Sequence, residues 1–204
     1  MHTRFILVRH GQTEWNVGDR FRGRADITLN DTGLDQARRV GLALAAEPID
    51  ASYASPLNRT MYTAEAIAGT RAAVVSDPAL MDIDYGDWQG WTKDEAAQRA
   101  PELYQLWLKS PEQVRFPNGE RLVDVRDRAM RSIEAWAKQY DGKSVLLVTH
   151  DVVAKVAFCA MLGLDVSAFR HFDQDNAAIN RFEVRDGSYL IKTLNETSHL
   201  RTPA

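Results

Sequence analysis

FILVRHG, residues Phe5–Gly11, runs four large apolar residues into Arg-His-Gly. SVLLVTHD, residues Ser144–Asp151, repeats the arrangement and delivers an apolar run into His150-Asp151. An apolar run without polar alternation reads as a strand buried on both faces, the kind found in a parallel sheet covered by helices. The segments between these two runs supply the covering. Thr32–Glu47 carries apolar residues at helical spacing, and Ser55-Pro56 opens a second helix through Ala68, with Ser55 at the N-cap and Pro56 at the first helical position. Ala51–Ala54 and Ala73–Val75 read as short strands, and Leu80–Trp91 as a loop. Thr92–Lys109 reads as helix broken at Pro101, Arg121–Tyr140 as a long amphipathic helix, and Val152–Leu162 as an apolar helix. Ile179–Val184 and Ser188–Leu194 flank Asp186-Gly187, a hairpin signal. The alternation predicts an α/β three-layer sandwich with a mostly parallel central sheet flanked by helices and an antiparallel hairpin near the end.

Composition narrows the functional classes. The 204 residues are 45% hydrophobic and 26% charged, enough for a sizeable core, and no linker or repeat divides them, so residues 1–204 read as one domain. The net charge is −3, which argues against a general nucleic-acid binder. A single cysteine, Cys159, excludes a disulfide framework and a cysteine-based zinc site, and its apolar helix makes it a core residue. Phe5–Val8 is too short for a membrane span or a signal-peptide core, so the expectation is a soluble, cytoplasmic protein with no membrane partner.

The chemistry gathers at the strand ends. Ligands of open α/β sheets bind beyond the carboxyl ends of the strands, so His10 and His150 are expected to share one crevice. Arg59 falls in the first turn of the helix opened by Ser55-Pro56, where a guanidinium beside backbone N–H groups makes an anion site. Residues 1–24 hold five arginines, Arg4, Arg9, Arg20, Arg22 and Arg24, against two carboxylates, Glu14 and Asp19. A locally positive field on a mildly acidic chain suits a small anionic substrate. The polar loop Gly18–Arg24 is placed to close over it, and Trp88 and Trp91 to wall the pocket. Trp107 and Trp136 read as helix packing.

Six segments, taken in order, resemble the successive signatures of the histidine phosphatase superfamily, in its phosphoglycerate mutase-like branch. They are LVRHGQTEWN (Leu7–Asn16), FRGRADITLNDTG (Phe21–Gly33), SPLNRTMYTA (Ser55–Ala64), LMDIDYGDWQG (Leu80–Gly90), NGE (Asn118–Glu120) and VTHD (Val148–Asp151). The resemblance implies His10 as the nucleophile that becomes phosphohistidine. It implies Arg9, Arg59 and His150 as ligands of the transferring phosphoryl group, Asn16 as a further donor, and Asp82 as the acid/base. Arg22, Gly23, Tyr85 and Asp151 complete the implied substrate-binding set, and Glu120 matches a glutamate near the mouth of the site. No cofactor or metal is implied, and a homodimer is. The pattern usually has glutamate at the Asp82 position and glycine after the second histidine. Asp151 and then Asp84 therefore rank behind Asp82 as proton donors, with Asp151 equally readable as an N-cap.

These residue types suit phosphoryl transfer. Neutral imidazole is nucleophilic, and a P–N bond is labile enough for water to cleave in a second step. Arginines supply the charge stabilisation that the equatorial oxygens need. A small phosphorylated metabolite is the expected partner. The short stretch between Trp91 and Asn118 favours a phosphatase over the alternative of a cofactor-dependent phosphoglycerate mutase, whose longer insert encloses the site. A non-catalytic phospho-ligand binder has no use for a nucleophile beside the clamp, and a metallohydrolase would set a cation against two arginines. KSPEQVRFPNGE (Lys109–Glu120) and LNETSHL (Leu194–Leu200) resemble metal-independent phosphoserine phosphatases, which tend to carry histidine where this chain has Tyr85. In that comparison the tail residue His199 folds back over the site.

Overall fold

The computed structural model describes residues 2–201. In chain order the elements are β1 (His2–Arg9), α1 (Glu14–Val17), α2 (Asp31–Ala43), β2 (Ala51–Ala54), α3 (Asn58–Ala68), β3 (Val74–Ser76), α4 (Lys93–Arg99), α5 (Pro101–Lys109), α6 (Leu122–Gln139), β4 (Ser144–Thr149), α7 (Asp151–Met161), β5 (Ile179–Arg185) and β6 (Ser188–Glu196). The six strands form one sheet in the order β3-β2-β4-β1-β5-β6. The first four are parallel; β5 and β6 are antiparallel, joined by the expected turn, where Asp186 and Gly187 both adopt positive φ (48° and 81°).

Both apolar runs lie at the centre of the sheet, and their alternate residues serve opposite layers. Ile6, Val8, Leu146 and Val148 pack with Val40 of α2 and Ala64 and Ile67 of α3. Phe5, Leu7, Val145 and Leu147 pack with Met130 and Ile133 of α6 and Phe158 of α7. Helix, sheet and helix thus make the three layers. A third apolar cluster, including Phe21, Ile83, Trp88, Phe116 and Val125, fills the space beneath the loops.

Local signals explain most boundaries. Asn30 caps α2 by accepting from the Gly33 N–H at 2.9 Å. Helix α2 ends at Ala43, short of the expected Glu47, where residues 44–47 turn ahead of Pro48. Thr92 and Glu95 form a capping box at the start of α4, and Pro101 divides α4 from α5 as expected. The Ser55 expectation fails: α3 begins at Asn58 with Leu57 at its N-cap, because the Ser55 hydroxyl is engaged elsewhere.

Leu147 is wholly buried at the centre of the sheet. Leu147→Ala should lower unfolding stability by about 2–5 kcal/mol in denaturant titrations. A loss below about 1 kcal/mol would show that β4 is not core.

Candidate active site

The parallel pairing of β1 and β4 places Arg9 opposite Thr149. The next residue on each strand is a histidine, so His10 and His150 emerge side by side, their ring centroids 5.1 Å apart. Both are buried, at 1% and 0% exposure. His10 Nδ1 lies 2.6 Å from the Gly11 carbonyl oxygen. That oxygen can only accept, so Nδ1 carries the proton and Nε2 keeps its lone pair. Burial, aided by Arg59, Arg9 and Arg22, holds the His10 pKa well below the ordinary histidine value.

Gly11 tolerates no side chain: a Cβ there would come within 2.5 Å of the Gly33 carbonyl oxygen. Its N–H donates to Thr63 Oγ1 at 3.2 Å, and Asn176 Nδ2 donates to the His10 carbonyl at 3.2 Å. These contacts fix the peptide on which the imidazole rests.

Arg59 comes from the second residue of α3 and is entirely buried. It donates to the carbonyls of Ala25 (2.6 Å) and Gly23 (2.8 Å) and lies 3.9 Å from Asp82 Oδ2. Burial pulls its pKa down to about 10, so it remains cationic at neutral pH. Gly23 therefore acts through its carbonyl, and its φ of +50° with Ile83 and Tyr85 close by suits glycine there. Arg9 donates to the Gln174 carbonyl, and a mutual amide pair between Gln174 and Asn180 (2.9 Å each way) braces that loop.

Asp82 is buried, with Oδ2 4.0 Å from His150 Nδ1 and Oδ1 accepting from the Ile83 N–H. Burial raises its pKa against the opposing pull of Arg59 and Arg22. Its main chain is held by Arg128, which donates to the Asp82 carbonyl at 3.0 Å and to both oxygens of Glu120 at 3.1 Å. Glu120 thus braces the Asp82 segment, and also pairs with Arg24 at 3.0 Å. Asp84 is turned to Arg24 (3.3 Å) and the Gly86 N–H (2.8 Å). Asp151 is the first residue of α7 and not its cap, which is His150; its carboxylate pairs with Lys155 at 2.9 Å, with Arg9 at 3.9 Å. Asn16 Oδ1 accepts from the N–H and hydroxyl of Thr13 (2.9 Å each), which leaves its Nδ2 as a donor.

A cleft of about 470 Å³ opens beside this cluster, lined by Arg22, Tyr85, Asp151, Trp107 and Arg170 among others. Loop 18–24 forms one wall through Asp19–Arg22, anchored by the buried Phe21 ring against Tyr85 and Trp88. Trp88 is core and Trp91 stacks on it, so neither walls the cleft; Trp107 packs in the same cluster, as expected, and also borders the cleft. His199 Nε2 meets the Ala177 carbonyl at 3.1 Å, and the Ala177 N–H lies against the Arg9 and His10 carbonyls, so the tail residue reaches the backbone that carries His10. A larger depression of about 620 Å³ between α2 and α3, at Leu34, Arg38 and Tyr62, shares no residue with the site.

Sequence reading passed over Arg128, Ser55 as a partner of His150, Thr63 and Asn176. Arg128 alone left a signal: it is a cation in the apolar stripe of α6 beside Val125 and Ala129.

Residues 5–197 match the histidine phosphatase superfamily (branch 1). The chain belongs to this family. Phosphoserine phosphatase 1 of Hydrogenobacter thermophilus is 35% identical over 198 residues, covering 97% of this chain and 94% of that protein. The metal-independent phosphoserine phosphatase of Arabidopsis thaliana is 34% identical over 203 residues, covering 97% and 83%. A phosphoserine phosphatase mutant from Entamoeba histolytica, solved in complex with phosphoserine, has a TM-score of 0.89 at 28% identity, covering 98% of this chain and 100% of that one. As a histidine phosphatase, the chain carries in His10 and His150 the two strand-end histidines on which its resemblance rested.

The buried imidazoles have a measurable consequence. In histidine NMR titrations, His10 and His150 should remain neutral at about pH 6, below the ordinary histidine midpoint. The unfolded chain takes up protons there and the folded chain does not. These two groups therefore leave stability intact above their ordinary value of 6.5 and reduce it as pH falls through that value. Ordinary midpoints for both rings would contradict the buried site.

Proposed function

We propose that this chain is a phosphatase that hydrolyses a small phosphomonoester through a phosphohistidine on His10, and that phosphoserine is its substrate. The observation that carries the reading is a neutral imidazole with its Nε2 lone pair free, surrounded by the guanidinium groups of Arg9, Arg22 and Arg59. A site with this much uncompensated positive charge around a nucleophile suits a phosphoryl dianion.

The reaction runs in two displacements. His10 Nε2 attacks phosphorus and the ester P–O bond breaks in line. Arg9, Arg59, His150 and Asn16 take up the charge on the equatorial oxygens. Asp82, whose raised pKa favours the protonated form, gives its proton to the leaving oxygen, and the free alcohol departs. Asp82, now a carboxylate, removes a proton from water as the water attacks phosphorus. The P–N bond breaks and inorganic phosphate is released. Asp151, tied to Lys155, is assigned to the alcohol part of the substrate rather than to proton transfer.

Phosphoserine is supported by the names of the relatives and by the charge arrangement of the cleft. Asp151 and Arg170 both line it, one suited to an ammonium group and the other to a carboxylate. The Tyr85 ring is buried to 8% exposure, and its hydroxyl has no hydrogen-bond partner among the described residues, so it is available to the same group.

Four measurements test this reading. Brief incubation with phosphoserine or p-nitrophenyl phosphate, quenched in base, should leave one acid-labile phosphate on His10. Its absence, with activity retained in His10→Ala, would refute the proposal. Arg59→Ala should reduce kcat/KM by at least about a hundredfold. Asp82→Asn should slow alcohol release in the first turnover far more for phosphoserine than for p-nitrophenyl phosphate, whose leaving group needs little protonation; an equal loss in that step for both would remove Asp82 as the acid. A panel of phosphoserine, phosphoglycerates, sugar phosphates and nucleotides ranks the substrates. Interconversion of phosphoglycerates without phosphate release would make the chain a mutase.

A further inference from the structure

His150 sits where β4 ends and α7 begins, with its ring wholly buried. Its Nε2 lies 2.9 Å from Ser55 Oγ. Its Nδ1 is also buried, has no hydrogen-bond partner, and points toward Asp82, 4.0 Å from Oδ2. Burial and the nearby Arg59 keep the ring neutral. A neutral imidazole holds one proton, so two arrangements compete.

In the first, Nε2–H donates to Ser55 Oγ. The Leu57 N–H also donates to that oxygen, at 3.4 Å. Two donors then converge on the hydroxyl, and its own hydrogen has no acceptor among the described residues. A buried donor without an acceptor is destabilising. The Nδ1 lone pair would also be left without a donor. In the second arrangement, Ser55 Oγ accepts from Leu57 and donates to Nε2. The imidazole proton then resides on Nδ1 and faces Asp82. This arrangement satisfies the serine hydroxyl and leaves one unpaired group, the Nδ1–H, where the first leaves two, the hydroxyl hydrogen and Nδ1.

We propose that Ser55 is a positioning residue: its hydroxyl donates to His150 Nε2 and so fixes the tautomer in which Nδ1–H points into the phosphoryl site. The histidine then offers a donor, not a lone pair, to an anionic oxygen, while remaining uncharged. Ser55 is itself held firmly. Its N–H donates to the Val148 carbonyl at 3.1 Å, and its carbonyl accepts from Thr60 Oγ1 at 2.9 Å. This geometry explains why Ser55 does not cap α3. The role rests on the phosphatase reading, because it presumes a phosphoryl group beside His150.

The test begins with the unmodified protein. Long-range proton–nitrogen correlation spectra at neutral pH, with His150 assigned by loss of its signals in His150→Gln, should show Nδ1 protonated and Nε2 bare. Protonation on Nε2 would overturn the proposal without any serine variant. Ser55→Ala should then shift the ring toward a mixture of tautomers. It should lower kcat for p-nitrophenyl phosphate by about 10- to 100-fold, the range seen when partners that orient histidines are removed, with KM changed less than about threefold. Ser55→Thr, which keeps the hydroxyl, should restore the tautomer and most of kcat. An unchanged tautomer or unchanged kcat in Ser55→Ala would refute the role, and if Ser55→Thr does not fold the spectra of the unmodified protein still decide. Protein that forms no phosphohistidine but shows Nδ1–H would sink the phosphatase reading and leave the tautomer assignment intact. Phosphohistidine together with Nε2–H would do the reverse.

Discussion

The parallel register of β1 against β4 is the constraint on which the molecule turns. With Arg9 paired to Thr149, the two chains leave the sheet at the same level, and the following residue on each is a histidine. A slip of one residue would reverse every side chain of the strand between the two helical layers. A slip of β1 would expel Phe5 and Leu7 from one apolar cluster and Ile6 and Val8 from the other. The core and the histidine pair are therefore specified by the same hydrogen-bond ladder.

The site built on that ladder is electrostatically unbalanced. Arg9 and Arg59 are desolvated, and the histidines are held neutral by burial and by nearby cations, Arg59 acting on both and Arg9 on His10. The nearest buried carboxylate, Asp82, is itself pushed toward its neutral form. Fixed backbone carbonyls from Gly23, Ala25 and Gln174 orient the guanidinium groups without neutralising them. Positive charge held rigidly, and only partly compensated by Asp151 beside Arg9, favours an anion that arrives with two negative charges, and favours it more as charge builds in the transition state. Supporting bonds extend outward from each group: Gly11 under His10, Ser55 behind His150, Arg128 beneath Asp82.

The sequence made the layers, the strand order of chemistry and the two histidines readable, because short unbroken apolar runs ending in polar residues have few other meanings. What it hid depends on distance along the chain. Arg59 is recognisable in its turn of helix, but its carbonyl partners lie 34 and 36 residues earlier. Ser55-Pro56 carries a helix-start signal, yet the hydroxyl meets a buried imidazole 95 residues away, a partner that no local pattern announces. Trp107 follows helical periodicity and reads as packing, which it is, while nothing local shows that it also borders the cleft. His199 reads as a tail residue folding over the substrate; its contact with Ala177 and the packing of Leu200 on the α2–α3 cluster both depend on residues distant in the chain.

The most direct test of the account is a crystal structure with orthovanadate, a mimic of phosphorus in transit. The account predicts vanadium bonded to His10 Nε2, with its equatorial oxygens met by Arg9, Arg59 and His150 Nδ1. Vanadate bound elsewhere, or seated in the crevice with His10 Nε2 turned away from vanadium, would contradict it.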